Sequence, residues 1–159
     1  MSYVTSVPIE DAQTLDQTQR DRIAETLIAL LLRELFDFGL MQTDPNYANY
    51  RFDPDAGKIV LLDFGATRAF STSIVDQYHR LMHAGLACDR TGFGAVALEI
   101  GFFDEDTAPR HQDAIVDMME LIFSEVLSET IFDVANPTLS QKMNQAGLAL
   151  SEDGFIPPL

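Results

Sequence analysis

The feature that most narrows the fold of this chain is an apolar stripe that stops at a glycine and gives way to a polar loop. Ile23, Leu27, Leu30, Leu31, Leu35 and Phe38 recur at helical spacing, and Gly39 follows as a stop. Thr14 with Gln17 makes a capping-box pattern that predicts the start of this helix. From Met41 to Asn49 the residues are polar and interrupted by Pro45, so a loop is expected. Tyr50 to Phe52, a turn through Asp53, Pro54, Asp55, Ala56 and Gly57, and Lys58 to Leu62 then read as a small hairpin. Its second strand, Ile59-Val60-Leu61-Leu62, has the β-branched and aliphatic character of a buried strand. Asp63, Phe64 and Gly65 follow at once.

The remainder reads as helix. Ile74, Tyr78, Leu81 and Met82 mark one helix entered through Ser71 or Ser73, and Phe93, Val96, Ala97 and Ile100 a shorter one. Thr107 with Pro109 opens a long helix whose inward face is expected to carry Ile115, Met118, Met119, Ile122 and Val126. Asn136 and Pro137 break it, and Leu139 to Leu150 form the last helix. The first ten residues read as extended, since Tyr3, Val4 and Val7 favour strand and Pro8 has no N–H for a ladder. The fold class expected is therefore mainly α with a small β-hairpin, in one domain of 159 residues.

Charge removes whole classes of function. The chain has 25 acidic and 10 basic side chains, a net charge of −15. Residues 1–90 hold 13 acids and 8 bases, net −5; residues 91–159 hold 12 acids and 2 bases, net −10. Phosphate contacts need clustered Lys and Arg, so a nucleic-acid partner is excluded, as is simple docking on an anionic leaflet. Cys88 is the single cysteine, so no intrachain disulfide forms, and a buried structural thiol in a reducing compartment is expected. Met1 to Glu10 carry no secretory signal pattern. The longest apolar run of the first helix, Leu27 to Leu32, falls far short of the ~20 residues that span a bilayer.

Chemistry is expected around the hairpin. Asp44 and Asn49 have the D-x-x-x-x-N spacing of a kinase catalytic loop, and Asp63-Phe64-Gly65 lies beyond a hairpin that returns it beside that loop. Phosphoryl transfer needs hard oxygen ligands for Mg²⁺ and a carboxylate to orient the attacking hydroxyl. Asn49 and Asp63 suit the metal, and Asp44 the nucleophile position. The plainer alternative is that Asp44 and Asn49 cap turns, as Asx residues often do. Arg68 either reaches a phosphate or pairs with a nearby acid. His79 and His83, with Asp76 one turn earlier, have possible metal spacing but equally suit a surface helix face. The methionines, Met118 and Met119 included, are expected as core filler rather than a lipid-binding stripe, and Asp104, Glu105 and Asp106 as a solvated approach to a helix. There is no Ser-His-Asp arrangement with a nucleophile elbow and no glycine-rich phosphate cradle.

Phe38 to Tyr50, F-G-L-M-Q-T-D-P-N-Y-A-N-Y, followed by Ile59 to Arg68, I-V-L-L-D-F-G-A-T-R, resembles the UbiB/AarF-type atypical kinases associated with ubiquinone biosynthesis. The resemblance implies a protein-kinase-like C-terminal lobe over residues 1–159, with the catalytic loop, hairpin and D-F-G in residues 41–68. It gives Asp44 the catalytic-loop aspartate role and Asn49 and Asp63 the metal-ligand roles, with ATP and Mg²⁺ as cofactors. Ser2 to Ile9, within residues 1–10, looks like the hinge between kinase lobes, where backbone groups contact adenine. The small-residue nucleotide loop, its phosphate-binding Lys and the K-x-G-Q extension of the family are absent, as is an A-P-E element after the D-F-G.

The reading that follows is the C-terminal lobe of an atypical kinase or ATPase, lacking its N-terminal lobe and expected to be folded but inactive by itself. Expected partners are a nucleotide, the missing lobe, and isoprenoid-lipid or membrane-associated biosynthetic proteins. The expected location is cytoplasmic or peripheral to an inner membrane, on the matrix face of a mitochondrion in a eukaryote. Two other readings stand beside it: a non-catalytic scaffold lobe, and a small-molecule phosphotransferase of aminoglycoside-kinase type, against which the Asp-Phe-Gly motif argues.

Overall fold

A computed structural model describes residues 5–44, 46–128 and 137–156. Ser2, Tyr3 and Val4 of the hinge-like segment, Pro45 of the polar loop, and Asn136 lie outside the described residues. The chain divides into two compact units, Met1–Val75 and Asp76–Leu159.

The described part of the first unit opens with strand β1 (Val7–Pro8) and a 3-10 turn, Ile9–Thr14, so of the segment read as extended Val7 and Pro8 are strand whereas Ile9 and Glu10 already belong to the turn. Helix α1 (Gln17–Arg33) follows, then a π-turn, Glu34–Phe38. The N-cap is not Thr14: its hydroxyl donates to the Asp11 carbonyl at 2.7 Å and closes the 3-10 turn. Asp16 caps instead, its carboxylate accepting the Gln19 N–H at 2.9 Å. Asp16 and Gln19 repeat the capping-box pattern two residues later, with the stronger acceptor at the cap. Gly39 ends the helical stretch as expected, at φ 59, a conformation that costs a residue with a Cβ more than glycine.

The hairpin forms, with β3 (Tyr50–Asp53) antiparallel to β4 (Lys58–Leu61) and Phe52 opposite Ile59, but its second strand is not the buried one expected: Ile59, Val60 and Leu61 are half-buried and Leu62, past the strand's end, is exposed. Asp53 builds the turn by accepting the N–H groups of Asp55 and Ala56 at 3.0 and 2.9 Å. β1 adds to the free side of β3, pairing Val7 with Phe52 and Pro8 with Arg51. Pro8 sits on an edge strand, where a missing donor breaks no ladder bond. Phe52 is fully buried among Ile9, Ile23, Val7, Leu15, Leu27 and Ile59, which fixes the hairpin against α1. Leu31 and Phe38, expected on the buried stripe, are exposed.

The polar loop is more ordered than its composition suggests. Leu40–Gln42 is strand β2, antiparallel to β5 (Thr67–Ala69), with Met41 opposite Arg68.

Helix α2 (Thr72–Leu86) is entered through Ser71, whose hydroxyl accepts the Ile74 N–H at 3.3 Å. In the second unit α3 (Arg90–Ile100) and α4 (Pro109–Val126) follow, then α5 (Pro137–Glu152), two residues longer at each end than its apolar pattern marks. Pro137 opens α5 rather than only ending what precedes it, because proline lacks an N–H that the first helical position does not need. The core gathers Leu81, Phe93, Val96, Ala97, Phe103, Ile115, Val116 and Leu150, with Met118 and Met119 packed at its margin. Val126, expected to face inward, is exposed at the last turn of α4, while His111 and Val116 take buried positions. Cys88 is exposed, not buried, in a left-handed turn (φ 54) between α2 and α3. No helix among the described residues is long and apolar enough to cross a membrane.

Candidate functional site

Two short ladders bring the polar loop to the segment after the hairpin. The β2–β5 pairing continues past Gln42, since Thr43 donates both its N–H (3.0 Å) and its hydroxyl (2.5 Å) to the Ala66 carbonyl. At the other end of the loop, Leu62 N–H donates to the Asn49 carbonyl at 3.0 Å, one rung beyond the Tyr50–Leu61 pair of the hairpin. Between these ties the Gln42 side-chain amide donates to the Asp63 carbonyl at 2.9 Å. Residues 42–44 and 46–49 on one side and 62–66 on the other thus form a ring fastened at both ends, and Asp44, Asn49 and Asp63 all belong to it.

The side chains differ in their engagements. Asp63 is exposed, and its Oδ1 accepts the Gly65 N–H at 2.7 Å; Oδ2 has no hydrogen bond among the described residues. Asp44 is exposed and Asn49 half-buried, and among the described residues neither side chain makes a hydrogen bond. Among the described residues neither side chain caps a turn; Asn46 does. Its side chain accepts the Ala48 N–H at 3.0 Å and caps the 3-10 turn Tyr47–Asn49.

Residues the sequence reading passed over support this ring. Glu34, in the π-turn, accepts the Gln42 main-chain N–H at 3.1 Å. Tyr50 is held above the ordinary tyrosine pKa, first by burial and then by the charge of the Glu34 and Asp44 carboxylates. The signal available for Gln42 was its position between the helix stop and Asp44. An apolar hollow of about 200 Å³ beside this loop is walled by Leu27, Leu30, Leu31 and Tyr50, and its lining includes none of Asp44, Asn49 and Asp63. Arg68 lies exposed on β5 and makes no ion pair among the described residues.

The donor set fits Mg²⁺. That ion usually keeps several waters and takes only one or two carboxylates with substrate phosphates. An exposed carboxylate with a spare oxygen and an unengaged amide carbonyl on adjoining segments are such donors. No group of three or more His, Cys, Asp or Glu able to hold a metal occurs among the described residues. The His79 and His83 rings lie 4.7 Å apart between centroids, tilted by 53°, and Asp76 is taken by Arg80 at 3.0 Å, which supports the surface-face reading of that helix.

Compared with known families, residues 1–97 match the ABC1 atypical kinase-like domain. The chain belongs to the ABC1 atypical kinase-like family. It is 31% identical over 158 residues to "Atypical kinase COQ8B, mitochondrial" of Danio rerio, covering 99% of this chain and 25% of that protein. It is 36% identical over 122 residues to the COQ8B of Rattus norvegicus, covering 77% and 23%. With "Atypical kinase COQ8, mitochondrial" of Saccharomyces cerevisiae the identity is 31% over 163 residues, covering 99% and 32%. The chain therefore spans about a quarter to a third of these ABC1 relatives' lengths. Mainly helical, with small antiparallel strands that among the described residues lie in the first unit, it is consistent with a kinase-like fragment dominated by helices.

Proposed function

We propose that this chain is the C-terminal-lobe part of an atypical kinase or ATPase that uses Mg-ATP and supports ubiquinone or a related isoprenoid-lipid synthesis. The observation that carries the reading is the doubly fastened ring, which puts Asp44, Asn49 and Asp63 on two segments tied at Gln42–Asp63 and Asn49–Leu62. Asp44, unengaged and exposed, orients the attacking hydroxyl or water and accepts its proton. Asn49 Oδ1 and an Asp63 carboxylate oxygen hold the metal. When bound, Mg²⁺ neutralises phosphate charge as the phosphoryl group transfers. The Gly65 N–H bond to Oδ1 orients the Asp63 carboxylate. In this reading Val7 and Pro8, paired to β3, belong to the hinge strand, and the other lobe supplies the phosphate clamp. The partners are that lobe, the nucleotide and membrane-associated biosynthetic proteins, at an inner-membrane face.

The test is a separation of binding from turnover in the full-length protein. Asp44→Asn should leave Mg-ATP affinity near wild type and lower turnover by roughly 10²–10⁴-fold, the usual worth of a positioned general base. Undiminished turnover in that variant would remove Asp44 from the reaction.

A further inference from the structure

Gln42 makes three contacts that together span the candidate site. Its main-chain N–H is held by Glu34 Oε2 at 3.1 Å, fixing where its side chain starts. Its Nε2 donates to the Asp63 carbonyl at 2.9 Å, across twenty-one residues of sequence. Its Oε1 faces the Asp44 N–H at 3.5 Å, the outer limit of a hydrogen bond. One amide thus reaches the main chain of both aspartates, accepting on one side and donating on the other.

We infer that Gln42 is a positioning residue for the metal site: it sets the Asp63 main chain, and through it the carboxylate, against the Asp44 loop. The inference rests on the proposed reading of Asp63 as a Mg²⁺ ligand. The physical reason is orientation. A carboxylate ligand is only as well placed as the backbone that carries it, and Asp63 is exposed, with no side-chain packing to do the work. Its own fastening is the short turn bond from Gly65 N–H, which moves with residues 63–65 as a body. The Gln42 bond is the tie from Asp63 itself to the Asp44 loop; the neighbouring ties are made one residue before it, at Leu62, and three after it, at Ala66. Groups that orient metal ligands in this way typically contribute 10–100-fold to metal affinity.

The probe is Mg²⁺ itself, titrated into the 159-residue chain and followed by the amide resonances of Gly65 and Leu62. Gln42→Met keeps the length of the side chain, adds no charge and removes the donor. It should weaken Mg²⁺ binding by about tenfold or more. In the metal-free chain it should also shift the Gly65 amide, while the Phe52 and Ile59 amides of the hairpin stay where they are. Gln42→His, which restores an N–H at similar reach, should recover most of the affinity. Asp63→Asn is run in parallel. If Asp63→Asn loses Mg²⁺ binding and Gln42→Met keeps wild-type affinity with an unmoved Gly65 amide, the positioning role is overturned and the metal-ligand reading stands. If Asp63→Asn binds Mg²⁺ as the wild type does, both are overturned.

Discussion

Asn49 and Leu62 are joined by one backbone bond, the Leu62 N–H donating to the Asn49 carbonyl at 3.0 Å, and that bond ties the end of the polar loop to the segment that leads into Asp63. It is the rung after Tyr50–Leu61, so the antiparallel ladder of β3 and β4 runs until the strands reach the two motifs. The chain enters the hairpin at Asn49 and leaves it at Asp63. A hairpin held in register by the buried Phe52 and its partner Ile59 therefore fixes the relation of two polar loops it does not itself contain.

The cap of α1 is a direct stability test. Asp16→Ala should cost about 1 kcal/mol, because it removes the acceptor of the Gln19 N–H. Thr14→Ala, which touches only the preceding 3-10 turn, should have a smaller effect on the helix. Denaturant unfolding of the two variants checks the order, and a larger loss at Thr14 would return the cap to that residue.

Gly85 on α2 lies against the ring of Phe123, and a Cβ there would come within 2.4 Å of ring carbons. Alanine is favoured over glycine in a helix by about 1 kcal/mol. Overpacking a filled core costs about 1–3 kcal/mol, and here the obstacle is a rigid ring that also meets Phe93 edge-on at 5.8 Å. The steric term should win, so Gly85→Ala lowers the unfolding free energy. Paired with Phe123→Leu the same change should be better tolerated, which a double-mutant cycle measures.

Asp153 gives the acid limb of stability a specific origin. Its carboxyl is held below the ordinary range, first by the hydrogen bond from Arg110 at 2.6 Å and then by His111 at 2.7 Å. A carboxylate with a depressed folded-state pKa stabilises fully above its unfolded value of about 3.9 and loses that stabilisation as pH falls through the folded value. Thermal unfolding of Asp153→Asn should therefore show a shallower fall than wild type below about pH 4. Identical acid limbs would remove Asp153 as a contributor.

Much of the first unit was legible because its signals are local. The periodicity of Ile23 to Phe38, the glycine at position 39 and the turn residues between Phe52 and Lys58 each determine backbone within a few residues of themselves. The β2–β5 pair was not legible. Each strand is three residues long, and Gln42 meets Thr67 across the whole hairpin, so nothing near either strand announces the other. The cap moved from Thr14 to Asp16 because two overlapping patterns competed and the charged acceptor prevailed. Cys88 was expected inside from the general habit of lone cysteines, but it stands in a left-handed turn with its side chain in solvent. On α4 the stripe was sound through Met119. It failed at Val126, where the helix runs out past the residues that cover His111 and Ile115. In the site, the motif spacing pointed to Asp44, Asn49 and Asp63, whereas Glu34 and Gln42 became visible only through their hydrogen bonds.

The affinity of the full-length protein for ATP, with and without Mg²⁺, tests the central claim most directly when wild type is set beside Asp63→Asn. Mg²⁺ should tighten ATP binding in the wild type, and Asp63→Asn should lose about tenfold or more of that gain while its metal-free ATP affinity and its unfolding midpoint stay close to wild type. Mg-ATP affinity in Asp63→Asn equal to that of the wild type would contradict it.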